Sequence, residues 1–308
     1  MSLALALPLL LFASMTGEVT AQTKPICAID MGSNSFRRIV GSYEGGRYMQ
    51  QGIEVRTLAV GDDVARHGRI SEGKLAEIAA ALAAFRTSCE KERAAPVVAI
   101  GTAAFRQASN GKRVVEMAAK LGISMEIASE RRESELAYLV GSLGRDDHAV
   151  IDNGSRSIEI VSRGRGVLRH QVFNLGYRVA YETFFAAATD PAAAVLGFRK
   201  QLRQQTAKAA FMKGMKTLVG VEFGEMANAL FEPAPVEGRV FTLAQLTQKL
   251  DDIARLPAAE FAALKKRRDI DRALPRLVVA ATLTEDFGYS QLQLTERELG
   301  TGLIIESR

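Results

Sequence analysis

The sequence predicts an α/β protein made of two similar halves with a cleft between them. Short apolar runs typical of buried strands alternate with stretches whose apolar residues recur at helical spacing, which is the pattern of an α/β fold. One local arrangement occurs twice, at 25–40 and at 149–162: a strand, an acid, a turn of small residues and a returning strand. This repetition indicates two domains related by duplication, which we place at residues 22–144 and 145–308.

The first half is predicted to alternate short strands with helices. Ser71 is suited to cap a helix, because its hydroxyl can accept a hydrogen bond from a free N–H group of the first turn. Leu75 and Ile78 then begin the apolar face of that helix. Asn110 is expected to cap a later helix in the same way. The predicted strands are 25–29, 97–100 and 124–127, and the predicted helices are 71–89, 110–121 and 132–143.

The second half opens with three short strands separated by turns and then becomes largely helical. Apolar runs of strand length predict the strands, and longer stretches with helical spacing predict the helices. The predicted strands are 149–152, 158–162, 167–173, 217–221 and 291–294. The predicted helices are 191–212, 243–254, 258–264 and 275–287.

Composition excludes some classes of function. The net charge of +5 and the pI near 9.2 suit a polyanionic ligand without requiring one. The chain has no tryptophan and few other aromatic residues, so binding of nucleic acid by base stacking is not expected. Cys27 and Cys89 lack the spacing of a zinc site, and the simplest expectation is two buried free thiols. A disulfide is the alternative in an oxidising compartment.

The N-terminal segment resembles a secretory signal. Residues 3–13 are almost all apolar, and small residues precede a cleavage position after Ala21. We therefore predict a signal peptide at 1–21 and export to the periplasm. The apolar run is too short to span a membrane, and we expect no membrane span in the mature chain. No Lys or Arg precedes the run, so a misassigned start codon and a cytoplasmic protein are the alternative.

The turn that follows the first strand is the most informative stretch of the chain. It consists of Asp30, Met31, Gly32, Ser33, Asn34 and Ser35. Backbone N–H groups and small hydroxyls in such a turn can surround a phosphate, with the acid beside them for a metal or a water molecule. An ordinary hairpin is the alternative, because Gly, Ser and Asn favour turns in any protein.

Other charged residues also follow predicted strands. Arg106 comes near the carboxyl end of the strand 97–100, where α/β proteins bind ligands, and a guanidinium group suits phosphate. Glu133 lies in the first turn of a helix, where it either stabilises the helix dipole or faces the cleft and activates a water molecule. Asp152 and Glu159 flank the second small-residue turn and are suited to hold Mg²⁺ directly or through water.

The order and spacing of these motifs resemble the exopolyphosphatase and guanosine pentaphosphate phosphatase family in its short, two-domain form. The resemblance spans nearly all of the chain after residue 21. It implies two actin-like (ribonuclease H-like) domains with the site in the cleft between them. It also implies polyphosphate or a phosphorylated nucleotide as the substrate and Mg²⁺ as the cofactor, and it allows a homodimer.

The resemblance assigns roles residue by residue. Glu133 matches the catalytic glutamate that activates the attacking water. Acids matching the metal and water site are Asp30, Asp152 and Glu159. Residues matching the phosphate-binding positions are Gly32, Ser33, Asn34, Ser35, Arg106, Gly154 and Ser157.

The second half of the site departs from the family pattern. Of the three glycines usual in the second turn only Gly154 remains, with Ser155 and Arg156 in the other places. Glycine lets backbone N–H groups approach phosphate and tolerates positive φ, so Arg156 is expected to fit this geometry poorly, although it can supply charge. A later small-residue loop falls near 220–224, where Glu222 is expected to repel phosphate.

These observations support two main functions. The first is a hydrolase that releases orthophosphate from polyphosphate or a related phosphoanhydride by metal-assisted attack of water. The second is a catalytically degenerate member that binds polyphosphate or a nucleotide without turnover. A sugar or acetate kinase on the same fold is a weaker third option, because the 220–224 segment lacks an intact adenosine loop.

Overall fold

The computed structural model describes residues 24–307, and the first of its two sheets has five strands. These are β1 (Ile26–Met31), β2 (Ser35–Glu44), β3 (Arg47–Thr57), β4 (Val97–Gly101) and β5 (Ser124–Ile127). Their order is β3-β2-β1-β4-β5. The central strand β1 pairs antiparallel with β2 and parallel with β4. Because every residue of β1 after Ile26 is buried, this strand holds whatever follows it in a fixed place.

The second sheet repeats this arrangement and adds one strand. Its strands are β6 (His148–Asn153), β7 (Ile158–Gly164), β8 (Val167–Phe173), β9 (Thr217–Val221), β10 (Val240–Thr242) and β11 (Gln291–Thr295). Their order is β10-β11-β9-β6-β7-β8, with β6 antiparallel to β7 and parallel to β9. Apart from β10, this is the order and direction of the first sheet. The predicted fold class, two actin-like halves, is confirmed.

The helices of the first half include the three that were predicted, but those at 60–67 and 103–107 were not predicted, and one predicted cap is wrong. They are α1 (Val60–His67), α2 (Glu72–Lys91), α3 (Ala103–Gln107), α4 (Lys112–Lys120) and α5 (Glu130–Ser142). Ser71 caps α2 as predicted, and its side chain accepts a hydrogen bond from Lys74 N. The prediction that Asn110 caps α4 is wrong. Its side-chain amide instead exchanges two hydrogen bonds of 2.8 Å with the backbone of Ile70.

Two of the four helices predicted in the second half have clearly different bounds, and the helices at 177–180, 224–230 and 299–306 were not predicted. The helix predicted over 191–212 ends at Thr206, and a separate 3-10 turn follows at Ala210–Met212. The helix predicted from Pro275 begins at Ile270 and contains Pro275 in its interior. The helices are α6 (Tyr177–Ala180), continued by a π-helical turn at Tyr181–Phe185, α7 (Pro191–Thr206), α8 (Gly224–Leu230), α9 (Leu243–Ala254), α10 (Ala258–Lys265), α11 (Ile270–Asp286) and α12 (Leu299–Glu306).

Two helices lie against the sheet of the opposite half. Tyr138 and Val140 of α5 pack on β6, β7 and β9. In the other direction, Leu303 and Ile304 of α12 pack on the first sheet, beside Ala28. The two helices also contact each other closely. The domain boundary near residue 145 stays a prediction, but residues 299–306 return to the first sheet.

A disulfide links Cys27 of β1 to Cys89 of α2. The expectation of two free thiols is therefore wrong. Both cysteines are fully buried in the core between the first sheet and α2, which brings together residues 62 positions apart in the chain. Their spacing in the sequence carries no sign of this contact.

Two predictions concern the ends of the chain and its relation to membranes. The predicted signal peptide at 1–21 lies outside the described residues. Within residues 24–307, none of the helices has both the length and the apolar character needed to cross a membrane.

Candidate active site

A polar cavity of about 80 Å³ lies between the two sheets, where β1 and β6 end. Each strand contributes a buried acid, Asp30 or Asp152, directly before a small-residue turn. The predicted site residues that line the cavity are Asp30, Gly32, Ser33, Asn34, Ser35, Glu133, Asp152, Gly154, Ser157 and Glu159. Arg106 does not line it but contacts a residue that does. The structure thus brings the predicted residues of both halves together.

The turn after β1 is fastened to the segment before and at the start of α1. The carbonyl of Ser33 accepts a hydrogen bond from Gly61 N at 2.7 Å, and the carbonyl of Asn34 accepts from Leu58 N and Ala59 N. Among the described residues, the amides of Ser33 and Asn34 donate no hydrogen bond. Unpaired amides at the wall of a polar cavity are suited to bind an anion.

The turn after β6 is fastened in the same way to the start of α6. The carbonyls of Gly154, Ser155 and Arg156 accept hydrogen bonds of 3.0 Å from the amides of Tyr177, Arg178 and Gly176. The amides of Gly154, Ser155 and Arg156 have no acceptor within the described part of the chain. A second set of free amides therefore belongs to a turn that lines the same cavity.

Arg156 does not distort the second turn. None of the residues 154–157 has a positive φ, so the backbone here requires no glycine. The expectation that Arg156 fits the turn poorly is wrong for this reason. Its side chain reaches toward Gly61 of the first half, at the edge of the cavity, and makes no ion pair with a described residue. It thus leaves an unpaired positive charge among the residues that line the cavity.

The glycine that the second turn does require lies outside it. A Cβ atom on Gly176 would lie 2.5 Å from backbone atoms of Arg156 and Ser157. A Cβ atom on Gly154 would make only an ordinary contact, 3.5 Å from the Ser157 carbonyl. The close approach of Gly176 is therefore what allows α6 to hold the turn.

Glu133 is held in the cleft by α5. The Ser129 side chain caps this helix, so that Glu133 lies in its first turn. The Arg106 guanidinium, from α3, donates to Glu133 Oε2 at 2.7 Å and to the Ala128 carbonyl at 2.7 Å. Burial raises the pKa of Glu133, and the hydrogen bond from Arg106 opposes that rise. Glu133 is therefore a buried, oriented carboxyl whose pKa lies above its ordinary value.

The acids at the ends of the strands are also difficult to ionise. Burial raises the pKa of Asp30 to about 7, although the Arg37 guanidinium acts in the opposite direction. Burial and the Glu133 carboxylate raise the pKa of Glu159 to about 8. Burial and the carboxylates of Glu222 and Glu159 raise the pKa of Asp152 well above its ordinary value. Such clusters of raised pKa values in a cleft mark functional sites.

The side chains of the cavity suit a divalent cation that arrives with phosphate. Asp30 Oδ1, Asp152 Oδ1 and Glu159 Oε1 are buried and accept no hydrogen bond from the described residues. Among residues 24–307, no three acidic, His or Cys side chains lie close enough to hold a metal ion by themselves. Magnesium is commonly bound by one or two carboxylates, with water and substrate phosphate completing its coordination. These donors fit that kind of binding.

Sequence reasoning missed a network of ion pairs at the far end of the cavity. Arg37 contacts Glu222 at 3.4 Å and Glu298 at 3.2 Å. Arg276 contacts Glu225 at 2.9 Å and Glu222 at 3.5 Å. One signal was available: Arg276 interrupts the apolar run from Ala273 to Ala281, and a lone arginine there needs a buried partner.

Comparison with known proteins identifies the family. A model of the Ppx/GppA phosphatase family matches residues 49–307. The chain belongs to this family. The resemblance drawn from the four motifs of the sequence is therefore confirmed. None of the curated proteins compared with the chain matches it.

Solved structures of the family have the same fold. A family member from Aquifex aeolicus is 22% identical, covering 92% of this chain and 97% of its own, with a TM-score of 0.77. An exopolyphosphatase from Cytophaga hutchinsonii ATCC 33406 is 17% identical, covering 92% of this chain and 98% of its own, with a TM-score of 0.74. At these identities the likeness establishes the fold alone.

Proposed function

We propose that the protein hydrolyses phosphoanhydride bonds and releases orthophosphate from polyphosphate or a related substrate. The observation that carries this proposal is the pair of turns, one from each half, that line one cavity and have free backbone amides, together with the buried Glu133 that lines the same cavity. Such amides bind phosphate oxygens, and the family to which the chain belongs is one of phosphatases.

Glu133 acts in this proposal as the base that accepts a proton from the attacking water. A general base works best when its pKa lies near the working pH, and burial raises the pKa of Glu133 in that direction. Arg106 orients the carboxylate through one N–H group and has further N–H groups for the transferred phosphoryl group. Phosphoryl transfer depends mainly on such positioning and on neutralisation of charge.

Charge neutralisation supports a divalent metal in the proposed reaction. The cavity is lined by more acids than bases: Asp30, Glu133, Asp152, Glu159, Glu222 and Glu225 against Arg37, Arg156, Arg272 and Arg276. When Asp30, Asp152 and Glu159 are ionised, a polyanion would be repelled from this site unless a cation came with it. Asp30, Asp152 and Glu159 are the residues that would hold Mg²⁺, which would supply positive charge to the phosphate oxygens.

The deciding experiment measures orthophosphate release from long-chain polyphosphate with Mg²⁺. We expect Glu133→Gln to lower the rate by about 10²–10⁴-fold, the usual contribution of a general base. Glu130→Gln is the matched control, since Glu130 lies in the same turn of α5 but is exposed. An inactive wild type, or an equally active Glu133→Gln variant, would count against the hydrolase.

A phosphate-binding protein without turnover is the second candidate. It is favoured by the ion pairs of Arg37 and Arg276, whose positive charges already face carboxylates. It predicts that polyphosphate raises the melting temperature of the wild type while no orthophosphate appears. Release that is abolished by Glu133→Gln rules it out.

We also propose that the protein is exported. The Cys27–Cys89 disulfide supports this, because disulfides persist mainly in oxidising compartments. Export predicts a mature protein that begins at Gln22 in the periplasmic fraction. Sequencing the N-terminus of the purified native protein tests it, and an intact Met1 would contradict it.

A further inference from the structure

A group of four charged residues separates the active-site cavity from a second, larger cavity of about 680 Å³. Both cavities are lined by Arg37, Glu222, Glu225 and Arg276, which we call the partition. Arg37 comes from β2 of the first half, and Arg276 comes from α11 of the second. The partition therefore closes the cleft by joining the two halves of the molecule.

Glu222 lies at the centre of the partition. Its carboxylate contacts the guanidinium groups of both Arg37, at 3.4 Å, and Arg276, at 3.5 Å. Its backbone has a φ of 63°, a left-handed conformation that a side chain with a Cβ atom rarely adopts. Unfavourable backbone conformations of this kind persist where the surroundings hold them, often at functional sites.

The two arginines form a site that is built for an anion. Arg276 is only 2% exposed, and its guanidinium lies over the Tyr177 ring at 4.2 Å and donates to the Asn153 carbonyl at 3.2 Å. It is therefore fixed independently of Glu222. Two guanidinium groups that converge on one point are suited to bind a carboxylate or a phosphate.

We propose that Glu222 is an internal anion that occupies this site and closes the far end of the active-site cavity. This inference rests on the proposed function, because it concerns how a polyphosphate chain is bound. A chain would place its terminal phosphates between the two turns and could not continue into the second cavity. One more phosphate group would have to lie beside the Glu222 carboxylate, where like charges repel.

The test uses a matched pair of variants, Glu222→Asp and Glu222→Asn. Both side chains have nearly the same shape and tolerate a left-handed backbone, so that the two variants differ in charge, with one carboxylate oxygen replaced by an NH2 group. Each is made in a Glu133→Gln background to prevent turnover. Calorimetry then measures the affinity for orthophosphate, pyrophosphate, tripolyphosphate and a long linear polyphosphate. Glu285→Gln, which removes a charge from an exposed ion pair with Arg199 and Arg203, is the control.

We expect Glu222→Asn to bind the long chain at least about tenfold more tightly than Glu222→Asp does, with orthophosphate nearly unchanged. Equal affinities of the two variants at every chain length would overturn this inference and leave the proposed function standing. So would an equal gain for orthophosphate and the long chain, since that indicates general repulsion and not a closed end. If no phosphate ligand binds even the Glu133→Gln parent, the proposed function fails and the inference fails with it.

A crystal structure of the wild type with pyrophosphate gives an answer that does not depend on the folding of any variant. We expect Glu222 to remain between Arg37 and Arg276 while pyrophosphate lies at the two turns. A phosphate group that contacts both arginines, with Glu222 turned away, would overturn the proposal.

Discussion

The turn after β1 and the turn after β6 have different sequences but the same structural role. The first keeps small polar residues throughout, whereas the second contains Ser155 and Arg156 where the family pattern suggested glycines. In both turns the carbonyls bond to a neighbouring helix start, and amides remain free at the cavity.

The difference shows what maintains a phosphate turn of this kind. Neither 32–35 nor 154–157 contains a residue with positive φ, so glycine is not needed for its conformational freedom. What each turn needs is a close neighbour, Gly61 behind the first and Gly176 behind the second. The second turn therefore accommodates an arginine without a change of backbone conformation.

After substitution of Glu133, the substitution expected to lower orthophosphate release most is that of Arg106, in the first half. We expect Arg106→Ala to lower orthophosphate release by about 10²–10³-fold, the usual loss when one donor to a reacting oxyanion is removed. It also leaves the buried Glu133 carboxyl without its partner. Arg131→Ala is the control, because the Arg131 side chain is 71% exposed and, among the described residues, its one ion pair is with Glu135. A loss of less than about tenfold would show that Arg106 has no direct contact with phosphate.

Substitution of Gly176 tests whether the start of α6 holds the second turn in place. We expect Gly176→Ala to lower the free energy of unfolding by about 1–3 kcal/mol and to lower activity as well, since its Cβ atom would meet the turn backbone. Gly154→Ala, inside the turn, should change the free energy of unfolding by less than about 1 kcal/mol. Urea unfolding of both variants checks the prediction. The opposite ranking would mean that the glycine of the turn itself is essential.

The raised pKa of Asp30 predicts how the free energy of unfolding depends on pH. The pKa of Asp30 is raised from 3.8 to about 7, so between these pH values the folded state binds a proton that the unfolded chain has released. Without divalent cations, the free energy of unfolding should therefore fall as the pH rises through this window, by at most about 1.4 kcal/mol per pH unit from this group. Urea unfolding across the window should show a smaller slope for Asp30→Asn. An unchanged slope would contradict the burial of this carboxyl.

The smallest effect on activity is expected for substitution of Arg156. Because the backbone there needs no glycine, Arg156→Gly should fold normally and restore the family residue. It removes a positive charge from the lining of the cavity and should raise KM for polyphosphate by about threefold to tenfold at low salt, with little effect at high salt. Arg156→Lys should retain most of the affinity. Tighter binding by Arg156→Gly would show that the arginine obstructs the site.

Local pattern was enough to predict much of the fold. The predicted ranges for β5, β8, β9 and α9 agree with the structure at both ends, because the period of apolar residues depends only on the element itself. The order of motifs was also enough to predict the family and to place Asp30, Glu133, Asp152 and Glu159 at one cavity. The roles of these residues stay predictions.

The tertiary structure decided the contacts between distant parts of the chain. The Cys27–Cys89 disulfide, the return of α12 to the first sheet and the pairing of Arg276 with Glu225 join residues whose sequence surroundings carry no sign of one another. The free amides of the second turn belong to the same class, because whether a backbone N–H is paired depends on which segment packs behind it. Sequence by itself determined which side chains follow the central strands, and only packing determined which of them meet across the cleft.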